Sequence, residues 1–455
     1  MEEKIESIHH QEIENEVEEY EEEMIFRWLE AHENKSTDSI DIESRIQEDE
    51  KNTAACTEMK LKKKKALLEF RCMVEDAILG NCLFEKPKKI ISRKECQKMK
   101  EQLRDITLWG VPLLPSKGHE STDNVLLKFL KAKEFKAQDA FHMLRKTLNW
   151  RKEYKTDAIL EENLHLDLDL DRFLYINSVD KEGHPLYYTV YGAFKDKELY
   201  RRVLGTEEKR EKFLRWRIQF MERSIGKLSF KAGEADSMLQ ITDFKNSGSE
   251  MKELRAVSKK AFLLFQANYP EIIYKNILVN VPFWHYTSHL VSSKILNHRT
   301  KGKFIIARPS KVTQTLLKYI SPENLPVEYG GLKRENDVEF SPVDNASELI
   351  VRTNSAGCIR IPVSEAGVTM VWDFTVVGWE VTCKEEFIPD DEGSYRILLR
   401  KYKEKRIGES VRNSFYISEP GKIVITIENT TLKKRKIYYR SKAKPYVPAY
   451  MINKK

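Results

Sequence analysis

No stretch of this 455-residue chain approaches the ~18 uninterrupted apolar residues of a membrane-spanning helix. Its start, Met1-Glu2-Glu3-Lys4, lacks the basic opening and apolar run of a secretory signal. The expectation is a cytoplasmic protein that meets membranes from outside. Six cysteines (Cys56, Cys72, Cys82, Cys96, Cys358, Cys383) form no Cys-x-x-Cys pair and no metal spacing with histidine, so they read as reduced thiols. The histidines form no cluster, and His184 and His285 read as turn and loop residues. The serine-hydrolase elbow, the phosphate loop, the dinucleotide glycine fingerprint and the His-Glu-x-x-His pair are all missing. Asp167, Asp169 and Asp171 open like a calcium loop, but Arg172 holds its glycine slot and Ser178 its bidentate slot. No catalytic residue, metal or cofactor is therefore expected. Zinc-finger spacing, an RNA-recognition signature and a continuous basic helix are absent too, so nucleic acid is not an expected partner.

Charge, in contrast, is plentiful and unevenly placed. The formal net charge is +7, yet residues 1–58 carry about −15. Residues 1–58 thus read as a disordered acidic tail ahead of a basic body suited to anionic surfaces. Residues 59–160 turn helical: Leu67, Phe70, Val74 and Ile78 recur behind the Lys62–Lys65 run. Residues 161–335 alternate strand and helix around a mixed sheet, an α/β domain. One helix, from Thr206 to about Ile225, is apolar on more than one face and must be covered on both sides or touch lipid. In residues 336–445 the period drops to two: Trp372, Phe374 and Val376 alternate with Asp373 and Thr375. Roughly eight short strands imply an all-β sandwich.

The stretch from Phe262 to Gly331 is the most telling. An apolar, aromatic segment, Pro282-Phe283-Trp284-His285-Tyr286, lies between two core strands. Facing water it is costly; lining a cavity that opens onto a membrane, it is a lid. A phospholipid needs an apolar tunnel, since hiding two acyl chains is worth on the order of 20 kcal/mol gross at ~0.8 per methylene. It also needs a few cations for its phosphate. Lys131, Lys133, Lys301 and Lys303 supply them if the helical lead-in folds against the α/β domain.

Phe129-Leu130-Lys131-Ala132-Lys133-Glu134-Phe135, Trp150-Arg151-Lys152, Asn268-Tyr269-Pro270-Glu271 and Leu325-Pro326 through Tyr329-Gly330-Gly331 occur in this order. Together they resemble a CRAL-TRIO lipid-binding module with its helical N-terminal part. Leu108 to Leu114 and Asp243-Phe244-Lys245-Asn246-Ser247 strengthen the match. The β segment, with Val371-Trp372-Asp373 and Gly378-Trp379-Glu380-Val381, resembles a GOLD domain. The tandem behind an acidic tail is similar to the patellins, plant phosphoinositide-binding proteins.

That resemblance implies a non-enzymatic binder and carrier of phosphoinositides with a phospholipid as its ligand. Such a protein is peripheral to the plasma membrane or cell plate, with trafficking proteins as partners and a role in cytokinesis. It implies a headgroup set of Lys133, Glu271, Thr300 and Lys303, and a pocket or gate of Phe283, Trp284, Tyr286 and Leu290. Lys133 stands where the yeast phosphatidylinositol-transfer relative has arginine, keeping the charge but not the planar fork. Ile272 replaces a second arginine, and Met238 and Gln240 stand where hydroxyls serve choline lipids. Lys401, Lys403, Lys405 and Arg406, with Lys433, Lys434, Arg435 and Lys436, are candidates for docking the β domain on an anionic bilayer. The other reading is an adaptor, whose β domain and tail bind proteins while the pocket only senses lipid.

Overall fold

Ala66, Phe70, Val74 and Ala77, spaced three or four residues apart, form the buried stripe of helix α1 (Ile42–Leu79). The computed structural model describes residues 42–84, 93–166, 170–248, 251–282, 302–378, 381–402 and 410–445. Helix α1 thus starts inside the stretch expected as tail, and residues 1–41 lie outside the described residues. Helix α2 (Arg93–Arg104) and a short ribbon of β1 (Thr107–Leu108) and β2 (Val111–Pro112) follow. Helices α3 (Thr122–Ala132) and α4 (Ala137–Tyr154) pack on α1 and complete the helical lead-in.

The α/β domain holds a five-stranded sheet in the order β3-β4-β5-β6-β7. Strand β3 (Leu174–Val179) is antiparallel to β4 (Pro185–Val190), while β4, β5 (Met238–Asp243), β6 (Ile273–Val279) and β7 (Phe304–Ile306) run parallel. Helices α5 (Lys197–Leu204) and α6 (Glu207–Ile225) link β4 to β5, and α7 (Lys252–Asn268) links β5 to β6. A single turn, α8 (Val312–Leu316), follows β7. Helix α6 is apolar on several faces because α5, α7 and residues 156–161 all pack on it. Protein, not lipid, covers it. No helix among the described residues is long and apolar enough to cross a membrane.

Strand alternation divides the sheet into two faces. Leu186, Tyr188, Leu239, Ile241, Ile277 and Val279 turn towards α8 and Tyr329. The opposite face carries a polar row, with Gln240 donating to Thr189 and Thr242 to Asn276, and then Leu278.

Two four-stranded antiparallel sheets form the sandwich, built from β8 (Ser347–Val351), β9 (Ser355–Val363), β10 (Val368–Val377), β11 (Thr382–Pro389), β12 (Ile397–Tyr402), β13 (Val411–Ile417), β14 (Gly421–Asn429) and β15 (Arg435–Pro445). Their orders are β13-β10-β15-β8 and β12-β11-β14-β9. Trp372, Phe374, Phe387, Ile423, Ile425 and Ile427 fill the space between them. The alternate residues of β10 are not solvated: Asp373 is 0% and Thr375 2% exposed. The outer face of β10 is covered by the chain leaving the α/β domain. Thr375 Oγ1 donates to the Gly330 carbonyl at 3.0 Å, and Val377 and Tyr438 pack on the α/β core. A Cβ on Gly331 would sit 1.9 Å from the Leu325 carbonyl oxygen, so only glycine permits this exit.

Candidate functional site

The Tyr269-Pro270-Glu271 corner between α7 and β6 is held from the lead-in side. Tyr269 OH donates to Glu222 of α6 at 2.6 Å, and Arg151 of α4 donates to the same oxygen at 2.6 Å. Trp109 and Trp150 lie against the Tyr269 ring at 6.4 and 5.8 Å. Held in this way, Glu271 adopts a left-handed backbone, φ +57, which an ordinary residue keeps only when its surroundings impose it. Its carboxylate meets Lys303 Nζ at 2.9 Å, just ahead of β7, where the Lys303 carbonyl accepts from Asn276 of β6.

A third member is absent from the sequence reading. Lys128 of α3 is 1% exposed, and its Nζ donates to the Glu271 carbonyl at 3.1 Å. It also faces Asp236 at 3.2 Å and the Phe230 ring at 5.6 Å. Burial pulls the Lys128 ammonium down to about 8, against the upward pull of Asp236. A signal for it exists: Lys128 falls three residues after Val125 and six after Thr122, on the stripe that α3 buries.

Glu271 and Lys303 are therefore brought together, as the resemblance implies, and the lead-in does fold against the α/β domain. Lys133 is exposed at the C-terminal end of α3. Thr300, Phe283, Trp284, Tyr286 and Leu290 lie outside the described residues, as do Lys301, His285, Asp167 and Asp169. Beyond the polar row, the part of that sheet face leading away from the ion pair is an apolar strip, only part-buried at Phe304 and Ile306. Phe304 and Ile306 sit beside Leu278, Phe244 stacks on Tyr191 at 5.0 Å, and Phe262 of α7 reaches Phe304 at 6.4 Å while 41% exposed. A polar corner thus opens onto an apolar strip.

Two other motifs serve the fold. Asp243, at the end of β5, accepts from Tyr329 OH, Asn280 Nδ2 and Lys245 N, each at 2.8 Å. The Lys245-Asn246 and Tyr329-Gly330-Gly331 motifs meet there as a structural knot.

The basic candidates of the sandwich take separate places. Lys401 lies on β12 opposite Lys384, while Lys403, Lys405 and Arg406 lie outside the described residues. Lys436 pairs with Glu348 at 2.9 Å, and Arg435 packs against Gly378. Lys433 and Lys434 are exposed on the β14–β15 turn beside Leu432, which is 86% exposed. Buried Asn429 shapes that turn by donating to the carbonyls of Val351, Arg352 and Lys433.

Comparison with known proteins adds the lineage. The N-terminal CRAL/TRIO domain matches residues 93–146, the CRAL/TRIO domain residues 171–331, and the Patellin-1-like C-terminal GOLD domain residues 352–436. Patellin-4 of Arabidopsis thaliana is 50% identical over 343 residues, covering 75% of this chain and 62% of that protein. Patellin-6 of the same plant is 41% identical over 352 residues, covering 76% of this chain and 85% of that protein. The phosphatidylinositol transfer protein SFH5 of Kluyveromyces lactis is 30% identical over 241 residues, covering 52% of this chain and 77% of that protein. With its helical lead-in, CRAL/TRIO sheet and GOLD sandwich in the shared order, the chain belongs to the patellin family.

Proposed function

We propose that this protein binds one phospholipid with an inositol headgroup and transfers or presents it at membranes, without catalysis. The observation that carries the reading is the join of the Glu271–Lys303 pair, braced by Lys128, to the apolar strip of Leu278, Phe304 and Ile306. A phospholipid is the ligand class that needs both environments side by side. The name of the fungal relative supports the inositol headgroup. Leu432, Lys433 and Lys434, an apolar tip beside two cations, suit contact with an anionic bilayer at the other domain. On this reading the protein works at the membrane periphery, and its likeness to the patellins supports a role in trafficking and cell-plate formation. Native mass spectrometry on protein purified from cells tests the pocket. One co-purified phospholipid per chain is expected, and a chain that stays empty yet still binds inositide vesicles would overturn it.

A further inference from the structure

Beyond the carboxyl ends of β4 and β5, residues 191–195, helix α5 and the first turn of α7 enclose an open cavity of about 370 Å³. Its floor is apolar, with Phe194, Leu204 and Met251 buried. Its rim carries Lys195, Lys197, Arg201 and Arg210 against a single carboxylate, Glu253. Glu253 is engaged by Tyr200 OH at 2.5 Å. Asp196, which lies between the two lysines, is turned to cap α5 and accepts from Glu198 N and Leu199 N. Arg210 is braced by the Leu204 carbonyl at 3.0 Å and by Glu207 at 2.6 Å. Among the described residues, Lys195, Lys197 and Arg201 have no carboxylate partner.

Cations gathered round a concavity repel one another unless an anion sits between them. A phosphate fits better than a carboxylate, because its extra charge and tetrahedral oxygens match several donors, the Arg201 guanidinium fork among them. The location agrees, since open parallel sheets bind ligands outside the carboxyl ends of their strands. The Glu271–Lys303 pair lies at the opposite, amino ends of β6 and β7. We propose that this cavity is a second anion site, taking a phosphate monoester or pyrophosphate group from a soluble molecule or from a lipid headgroup. It stands independently of the phospholipid reading.

Calorimetric titration of the full chain with pyrophosphate tests it, alongside flotation with vesicles of phosphatidic acid or of phosphatidylserine at matched charge. Saturable one-to-one pyrophosphate binding is expected. Arg201→Glu and Lys197→Glu should each weaken it tenfold or more, while Lys259→Glu on the exposed side of α7 leaves it within twofold. Loss of a phosphatidic acid preference in the same two variants assigns the lipid source; pyrophosphate binding lost with flotation unchanged assigns the soluble one. The site is overturned if neither probe is preferred by the wild-type chain, or if Lys259→Glu costs as much as the cavity variants.

Discussion

Around Asp373, the side chains of Arg334, Arg412 and Arg440 close on one fully buried carboxylate at 2.7, 2.8 and 3.2 Å. At Glu271 a single ammonium, that of Lys303, meets a carboxylate that is still 12% exposed, and Lys128 reaches only the backbone carbonyl. The first carboxylate is fully enclosed. Asp337 adds a second carboxylate, and Phe340 stacks under Arg412 and Arg440 at 5.1 and 4.4 Å. With three guanidinium groups closed round it, the Asp373 carboxylate has no open side for a ligand, and the group ties the segment from Arg334 to Phe340 to β10. The Glu271 group keeps an accessible ammonium beside an apolar strip. The same pairing of cation and carboxylate reads as structural where three cations enclose a buried carboxylate, and as open to a ligand where a single ammonium meets one that is not fully covered.

The largest expected effect comes from breaking the enclosed group. Asp373→Ala leaves three arginines clustered without their carboxylate, and removing one partner of a buried ionic group costs about 3–5 kcal/mol. Calorimetry should show the first unfolding transition several degrees lower; an unchanged transition would sink the structural assignment. The same region has a pH signature. Burial alone would raise the Asp337 carboxyl, but hydrogen bonds from Arg412 and from the backbone of Phe340 and Glu339 hold it down at about 2. Its contribution is present above the unfolded value of about 3.9 and is lost as the pH falls towards 2. Wild-type stability should therefore drop across that window more steeply than that of Asp337→Asn.

In the receptive group, Lys303→Ala is expected to weaken inositide binding by about 1.5–3 kcal/mol, roughly ten- to a hundredfold. The melting temperature of lipid-free protein should hardly move, since partly exposed pairs contribute about 0–1 kcal/mol. Equal binding by mutant and wild type would refute the headgroup role. Leu432→Glu should lower vesicle association about tenfold by removing an apolar tip, with lipid loading unchanged by mass spectrometry. The smallest effect is a slope. As pH rises through about 8, Lys128 loses its proton, so inositide affinity should fall by a few fold between pH 7 and 9. Lys128→Met should flatten that slope; an identical slope in the variant would show that Lys128 does not act on the headgroup.

The fold was largely legible because its signals are local. The α1 stripe and the alternation through Trp372 and Phe374 each lie within a few residues of chain. Glu271 and Lys303 came through the likeness of short motifs, not through any periodicity. Lys128 was missed because a lysine in an apolar helix ordinarily reads as solvated, although its position on the stripe of Thr122 and Val125 was available. The Asp373 group was beyond reach for another reason. Its members Arg334, Asp337, Asp373, Arg412 and Arg440 come from a connecting segment and three strands, and only the pairing of β10 with β13 and β15 brings them together.

The connection between the two large domains behaves as a splint rather than as a tether. A flexible linker takes up an inserted residue as slack. Here the Leu332 and Ser341 carbonyls are both clamped by Arg440, and Glu339 is tied to Lys444. An insertion between Gly331 and Ser341 would therefore be transmitted as rotation of the sandwich, changing the angle between the Leu432 tip and the Glu271 corner.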